Sequence, residues 1–232
     1  MESAALIIAN RGDLDVIRKL LFGKKLPKPK YPLPKRTPIH KESHTLDKWA
    51  VPLPGDEPQV YRTQRYRNDV LNQRPIQFHG YMCLPSFGAA LGVFVGMIYF
   101  VLISYFSLTR YLLFKFPERM TGGIFNRNGP ARELLKTVKF TSTLIGHGWS
   151  DTLVEPSDEH SKEPDASIVV KVSGPDPGYG ATSLMMVACA MTILREKHNC
   201  TGRGGVMTPG TAFMNTNIIH RLQERGMTFN VE

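Results

Sequence analysis

With 232 residues, 42% of them hydrophobic, the chain has material for one sizeable core and is too apolar to be disordered throughout. Its formal charge of +9 lies in the first half, where residues 1–120 hold 18 Lys/Arg against 9 Asp/Glu while residues 121–232 hold 11 of each. The sequence has no zinc-finger spacing, no aromatic RNP-like strand and no recognition helix, so nucleic acid is not the expected partner, and basic charge flanking an apolar run points to an anionic lipid surface instead.

The start, Met1 to Asn10, is apolar but has neither the basic leader nor the length of a secretory signal, and it reads as the interior of a longer protein. The patch around Ala5 to Ala9 suits a buried element. Asp13 caps a short helix running to Leu21, with Leu14, Ile17, Leu20 and Leu21 on one face. Residues 1–23 thus form a leading helical segment. From Lys24 the composition turns to lysine and proline, and Pro27, Pro29, Pro32, Pro34 and Pro38 impose an extended linker over 24–48. A short strand at Trp49 to Leu53 follows, then a helix from Glu57 to Asn72 that carries Arg62, Arg65 and Arg67.

The stretch from Gly80 to Thr109 contains no Asp, Glu, Lys or Arg. Met82 to Leu108 holds thirteen Leu, Ile, Val or Phe residues. At roughly −0.3 to −0.6 kcal/mol each, their transfer into hydrocarbon gains about 4 to 8 kcal/mol. Residues 80–116 are therefore expected to form a membrane-associating segment, with Phe87, Leu91, Phe94, Val95, Ile98, Val101, Leu102, Ile103 and Phe106 as lipid contacts. Gly88, Gly92 and Gly96 form a doubled GxxxG, a pattern that lets another helix approach closely. If the strands before and after this run share one sheet, both flanks lie on one side of the membrane. The run then enters and returns as a hairpin bent near Gly96, or lies in the membrane plane.

After Pro117 the chain becomes soluble in character. A short helix to Lys136, strands at Val138 to Trp149 and Ser167 to Ser173, and a mobile acidic loop from Asp151 to Asp165 are expected. A buried helix from Ala181 to Lys197, a short strand at Gly204 to Thr208, a helix from Asn215 to Arg225 and a last strand at Met227 to Val231 follow. The alternation gives an α+β (α/β-like) class, a mixed sheet with covering helices, in a domain made of residues 49–79 and 117–232.

Three stretches in this order carry a resemblance: Tyr61-Arg62-Thr63-Gln64-Arg65-Tyr66, Gly174-Pro175-Asp176-Pro177-Gly178-Tyr179-Gly180-Ala181-Thr182, and Gly204 to Phe213. Together they resemble the C-terminal part of saccharopine dehydrogenase-like oxidoreductases. The resemblance implies a two-domain plan in which an NAD(P)-binding domain precedes a domain for substrate and subunit contacts. It also implies membrane or lipid-droplet association, with the substrate unknown. These residues show no G-x-G-x-x-G turn after a first strand, so no cofactor is expected in this chain, and NAD(P) belongs to the domain it lacks. Whether the chain is an enzyme is left open, because alone it is expected to be inactive. The alternative is a non-catalytic scaffold or subunit derived from that family. Expected partners are an anionic membrane or lipid-droplet surface and a second copy or a larger membrane complex. The expected place is the cytosolic face of the lipid droplet or endoplasmic reticulum, with a mitochondrial membrane as the alternative.

Candidate chemistry in the soluble part is sparse. Gly178, Gly180 and Thr182 lie in a turn that superficially mimics a phosphate-binding loop, although Ser183 stands where a third glycine belongs. His147, between Gly146 and Gly148 on a strand, is the one acid-base candidate. His40, His44, His160 and His198 read as solvent-facing. Cys83, Cys189 and Cys200 form no metal or disulfide pattern, so no metal is expected and a reducing compartment is implied.

Overall fold

The computed structural model describes residues 1–45, 48–53, 55–202 and 204–232. Leu46 and Asp47 of the expected linker, and Pro54 and Arg203 of the expected soluble domain, lie outside the described residues. In chain order the elements are α1 (Glu2–Ala9), α2 (Arg11–Leu21), β1 (His40–Glu42), β2 (Lys48–Pro52), α3 (Glu57–Leu71), β3 (Tyr81–Leu84), α4 (Phe87–Tyr105), α5 (Ser107–Lys115), α6 (Pro117–Met120), α7 (Arg132–Thr137), β4 (Lys139–Gly148), β5 (Ala166–Pro175), α8 (Gly180–Arg195), α9 (Pro209–Ala212), α10 (Ile218–Gln223) and β6 (Thr228–Val231). The class is α+β. The strands form two small antiparallel sheets, β1-β2-β3 and β4-β5-β6, instead of one mixed sheet. Gly204 to Thr208, expected as a strand, belongs to neither.

The chain divides into two compact units. The first comprises Met1–Lys25, Lys35–Pro52 and Tyr81–Pro130; the second comprises Leu26–Pro34, Leu53–Gly80 and Ala131–Glu232. The apolar run and its helical neighbours are therefore an excursion out of the second unit, to which the chain returns.

In the first unit, Trp49 of β2 pairs with Leu84 of β3, and its ring meets Phe87 edge-on at 4.9 Å, which seats the start of α4 on the sheet. Ser86 begins α4 by accepting from the Ala89 amide at 3.2 Å. The helix runs unbroken through Gly96, so the expected bend there does not occur: a glycine inside a helix leaves the backbone ladder intact. The break is at Phe106, whose extended backbone (φ −85°, ψ 138°) stops the ladder. The carbonyls left over at that end are met internally, by Thr109 Oγ1 donating to Ile103 O at 2.6 Å and Arg110 Nη1 donating to Ser104 O at 3.0 Å. Ala5 of α1, Ile103 of α4 and Leu113 of α5 form a small buried cluster, flanked by Met1, Phe100, Phe114 and Met120. Of the apolar patch at Ala5 to Ala9, only Ala5 is buried.

In the second unit, β4 and β5 pair over ten residues from Lys139↔Pro175 to Gly148↔Ala166, and β6 adds to β5 from Val170↔Val231 to Ser173↔Thr228. Thr63 of α3 bonds Thr208 Oγ at 2.6 Å, and Gly210 lies so close to Thr63 that an added Cβ would stand 3.1 Å from its side chain. α8 differs from expectation. Ala181, Ala188 and Thr192 are buried along one stripe, but Met186, Val187, Ile193 and Leu194 are exposed, because nothing among the described residues packs on the rest of its apolar surface.

The acidic stretch 151–165 is also more tied down than expected. Tyr31 Oη donates to Ser161 O at 2.5 Å, Trp149 Nε1 donates to Lys162 O at 2.7 Å, and Arg74 pairs with Glu159 at 3.0 Å while its amide donates to Pro156 O.

Candidate functional site

The most extended candidate surface is α4. Its 19 residues span about 28 Å at 1.5 Å per residue, close to the roughly 30 Å of a hydrocarbon core. In its most apolar 18-residue window only 17% of residues are buried. Phe87, Leu91, Val95, Ile98, Val101 and Leu102 are all exposed, and steps of three and four residues place them on one side of the helix. Phe106 at the break is exposed too, and Phe94 is half-buried. Ile103 is a correction to the expected lipid-contact set. It sits 160° around the helix from Phe87, by 100° per residue, and is buried against Ala5 and Leu113. An ideal Cβ on Gly88, Gly92 or Gly96 meets nothing within 4 Å, so among the described residues no helix packs on the glycine face.

The turn after β5 presents a different chemistry. A phosphate-binding loop needs free backbone amides at a helix N-terminus. Here a carboxylate of this chain already holds them: Asp176, 8% exposed, accepts from the Tyr179 amide at 2.6 Å and the Gly180 amide at 3.2 Å through one oxygen. Thr182 Oγ1 donates to Pro177 O at 2.7 Å and is likewise engaged. β5 and β6 also run antiparallel, whereas a dinucleotide-binding unit joins parallel strands across its helix. Gly178, Gly180 and Thr182 therefore do not fit an NAD(P) phosphate. Asp176→Ala should lower stability by about 1–3 kcal/mol by leaving two amides unmet, while Asp176→Asn, which keeps an acceptor, should lose less; urea unfolding of both variants checks this.

His147 is exposed on β4 opposite Ser167, and among the described residues its ring makes no hydrogen bond or ion pair that would orient it as an acid or base. His160, read from sequence as solvent-facing, is stacked flat on Trp149 at 4.1 Å with its ring nitrogen 3.5 Å from Asp151. Beside it, Asp165 accepts from Lys162 at 2.9 Å and from both the amide and hydroxyl of Ser150, contacts that hold its carboxyl well below the usual range. His40, also expected to face solvent, meets Tyr81 edge-on at 4.8 Å.

Glu196, at the end of α8, is the other dense polar node. It accepts from the amide and side chain of Asn217 and from Arg221 Nη2 at 2.5 Å, which lowers its pKa, the Asn217 amide first and Arg221 next. A depression of about 440 Å³ lies here, lined by Asn217, His220, Arg221 and Glu224. Because the Arg221 guanidinium is already committed to Glu196, this node reads as a clamp between α8 and α10. Among the described residues no three His, Cys, Asp or Glu side chains gather to hold a metal.

Known proteins bear on this arrangement directly. A saccharopine dehydrogenase-like oxidoreductase of Mus musculus is 32% identical over 232 residues, covering 99% of this chain. Over nearly its whole length the chain is homologous to proteins named saccharopine dehydrogenase-like oxidoreductase. It spans about half the length of the curated relatives it matches, 53% of the mouse protein. A protein of Caenorhabditis elegans named lipid droplet localized protein is 30% identical across 94% of the chain and 52% of its own length. A probable mitochondrial saccharopine dehydrogenase-like oxidoreductase of Arabidopsis thaliana is 30% identical across 99% of the chain and 55% of its own length. No protein-family model matches, and no solved structure does.

Proposed function

We propose that this chain is the membrane-associating and subunit-contact part of a saccharopine dehydrogenase-like oxidoreductase, held to the cytosolic face of a lipid droplet or of the endoplasmic reticulum, or to a mitochondrial membrane, with NAD(P) chemistry carried by residues other than these. The observation that carries the reading is the exposed, uncharged stripe from Phe87 to Leu102 on α4. The worm relative is named for lipid droplets, which agrees with a lipid surface, and the plant relative is named as probably mitochondrial. The exposed apolar face of α8 offers a surface for a second copy or a larger membrane complex.

The geometry favours docking from one side. Segments before the apolar helix (26–34 and 53–80) and after it (131–232) belong to the same compact unit, joined by the Thr63 to Thr208 bond and the Arg74 to Glu159 pair. The expectation of one sheet shared across the run is not met, yet these bonds impose the same constraint on its two flanks. A helix that crossed a bilayer would need a second apolar leg to return. α5 is the element that turns back, and its 9 residues reach only about 14 Å and include Arg110 and Lys115. At the other side of the packing, α1 meets α4 at Ile103, and the chain from α1 back to the second unit passes through α2, which carries Arg11, Asp13, Asp15, Arg18 and Lys19. Such a helix does not cross hydrocarbon. On this reading α4 engages lipid from one side, with both of its flanks in one compartment.

Flotation of the purified chain with neutral phosphatidylcholine vesicles tests the reading. Binding should persist at about 1 M salt, where charge attraction is screened within roughly 3 Å and the apolar contribution is not. Release by salt alone would refute the apolar anchor. The alternative, a non-catalytic scaffold derived from the family, draws support from the self-occupied turn at Asp176. The intact mass of the native protein separates the two: a polypeptide about twice this length favours the oxidoreductase.

A further inference from the structure

The helix α2 is the feature the membrane reading of α4 does not use. Val16, Ile17, Leu20 and Leu21 are 49–80% exposed, and no residue of the helix is buried. At 100° per residue these four share one face with Leu14, while Arg11, Asp15, Arg18 and Lys19 take the opposite face. Asp13 falls in the middle of the apolar face, but in the first turn, where a carboxylate suits the positive end of the helix. The Asp15 carboxylate is engaged by Arg18 at 3.1 Å, so the uncompensated charge on this face is positive. Lys24 and Lys25 follow within one turn's length of its end, giving five basic residues against two acidic ones from Arg11 to Lys25.

An isolated helix of 11 residues with its apolar face in water is marginal, so an occupant on that face would stabilise it. Its charge pattern identifies which one. A protein groove would leave the basic face unconstrained, whereas a surface of anionic headgroups satisfies both faces at once, taking the leucines into the acyl boundary and the lysines and arginines at the phosphates. Position is compatible with this: a single residue, Asn10, joins α2 to α1, α1 is packed on α4 through Ala5 and Ile103, and all three helices belong to the same compact unit.

We infer that α2 is a second lipid-docking element, selective for anionic headgroups, which adds charge selectivity to the charge-indifferent anchor α4. The inference extends the proposed function but rests on different residues. It is tested by flotation of the full chain with two vesicle compositions, phosphatidylcholine alone and phosphatidylcholine with about 30% phosphatidylserine; with roughly one net favourable contact per basic residue near the surface, the wild type should bind the anionic vesicles at least about tenfold more tightly. The readout is the ratio of the two affinities. Arg18→Glu with Lys19→Glu, which leaves the apolar face intact, should bring the ratio close to one, and so should Ile17→Asp with Leu20→Asp. The first pair keeps the test informative if the second fails to fold. An unchanged ratio in the folded charge-reversal variant overturns the inference. So does a shift from dimer to monomer in the apolar variant with flotation unaltered, which would make the occupant a second copy. Failure of the α4 anchor shows differently, as loss of binding to neutral vesicles in the wild type.

Discussion

Exchanging Val95 and Leu102 for Asp should release the protein from neutral vesicles, lowering its partition by about a thousandfold. The two positions lie seven residues apart, two turns along the same exposed side of α4, and each is about half exposed in the folded chain, so neither substitution disturbs the buried cluster around Leu113. Each aspartate costs roughly 2.5–3.5 kcal/mol at the centre of an inserted helix, and the favourable transfer of the replaced side chain is lost as well. At 1.4 kcal/mol per factor of ten, two such costs exceed three decades at full insertion depth, and a shallower seat brings the expected loss down to about a thousandfold. Co-flotation and far-ultraviolet circular dichroism, measured on the same preparation, separate detachment from unfolding. A folded double variant that still floats with vesicles would remove α4 as the anchor.

Much of the secondary structure was legible because its signals are local. The helices at 57–71 and 180–195 begin and end within two residues of their expected limits, and the strands at 139–148, 166–175 and 228–231 follow alternation or flanking turns. What the pattern could not convey was which apolar surface finds a partner. α8 is apolar nearly all round, and periodicity alone reads that as burial, yet Met186 is 69% and Leu194 77% exposed. Conversely, Ile103 and its neighbour Leu102 are equivalent in sequence, and only the arrival of α1 at Ala5 decides that one is core and the other surface.

The candidate site divides along the same line. The uncharged run is a composition signal spread over thirty residues, and it marked the surface of α4 without any tertiary information. The turn at Gly178 and Gly180 needed geometry, because a glycine-rich loop before a helix looks the same whether its amides await a phosphate or are held by the chain's own Asp176. The presence of Asp176 two residues before Gly178 was the available clue: a carboxylate at the foot of a helix is a ready acceptor for those amides. The Trp149 and His160 stack left no sequence signal, since the eleven-residue separation has no fixed geometry in a loop.

Leu113→Ala should be the most damaging single substitution to the first unit, costing about 2–5 kcal/mol. Leu113 has no exposed surface, and it is the largest side chain in the cluster through which α1 and α5 reach α4. The cluster is small, with Ala5 and Ile103 as its other buried members, so removing the Leu113 side chain takes away much of its buried volume. Ile103→Val, which removes one methyl group from the same place, should cost only about 0.5–1.5 kcal/mol. Urea unfolding gives both values. Limited proteolysis locates them, because loss of the cluster should expose the connection at Asn10 between α1 and α2 to cleavage before any site in the second unit is cut. If Leu113→Ala leaves both the unfolding midpoint and the cleavage pattern unchanged, the cluster does not hold α1 on α4, and the tie that joins α2 to the lipid-facing unit through α1 loses its support.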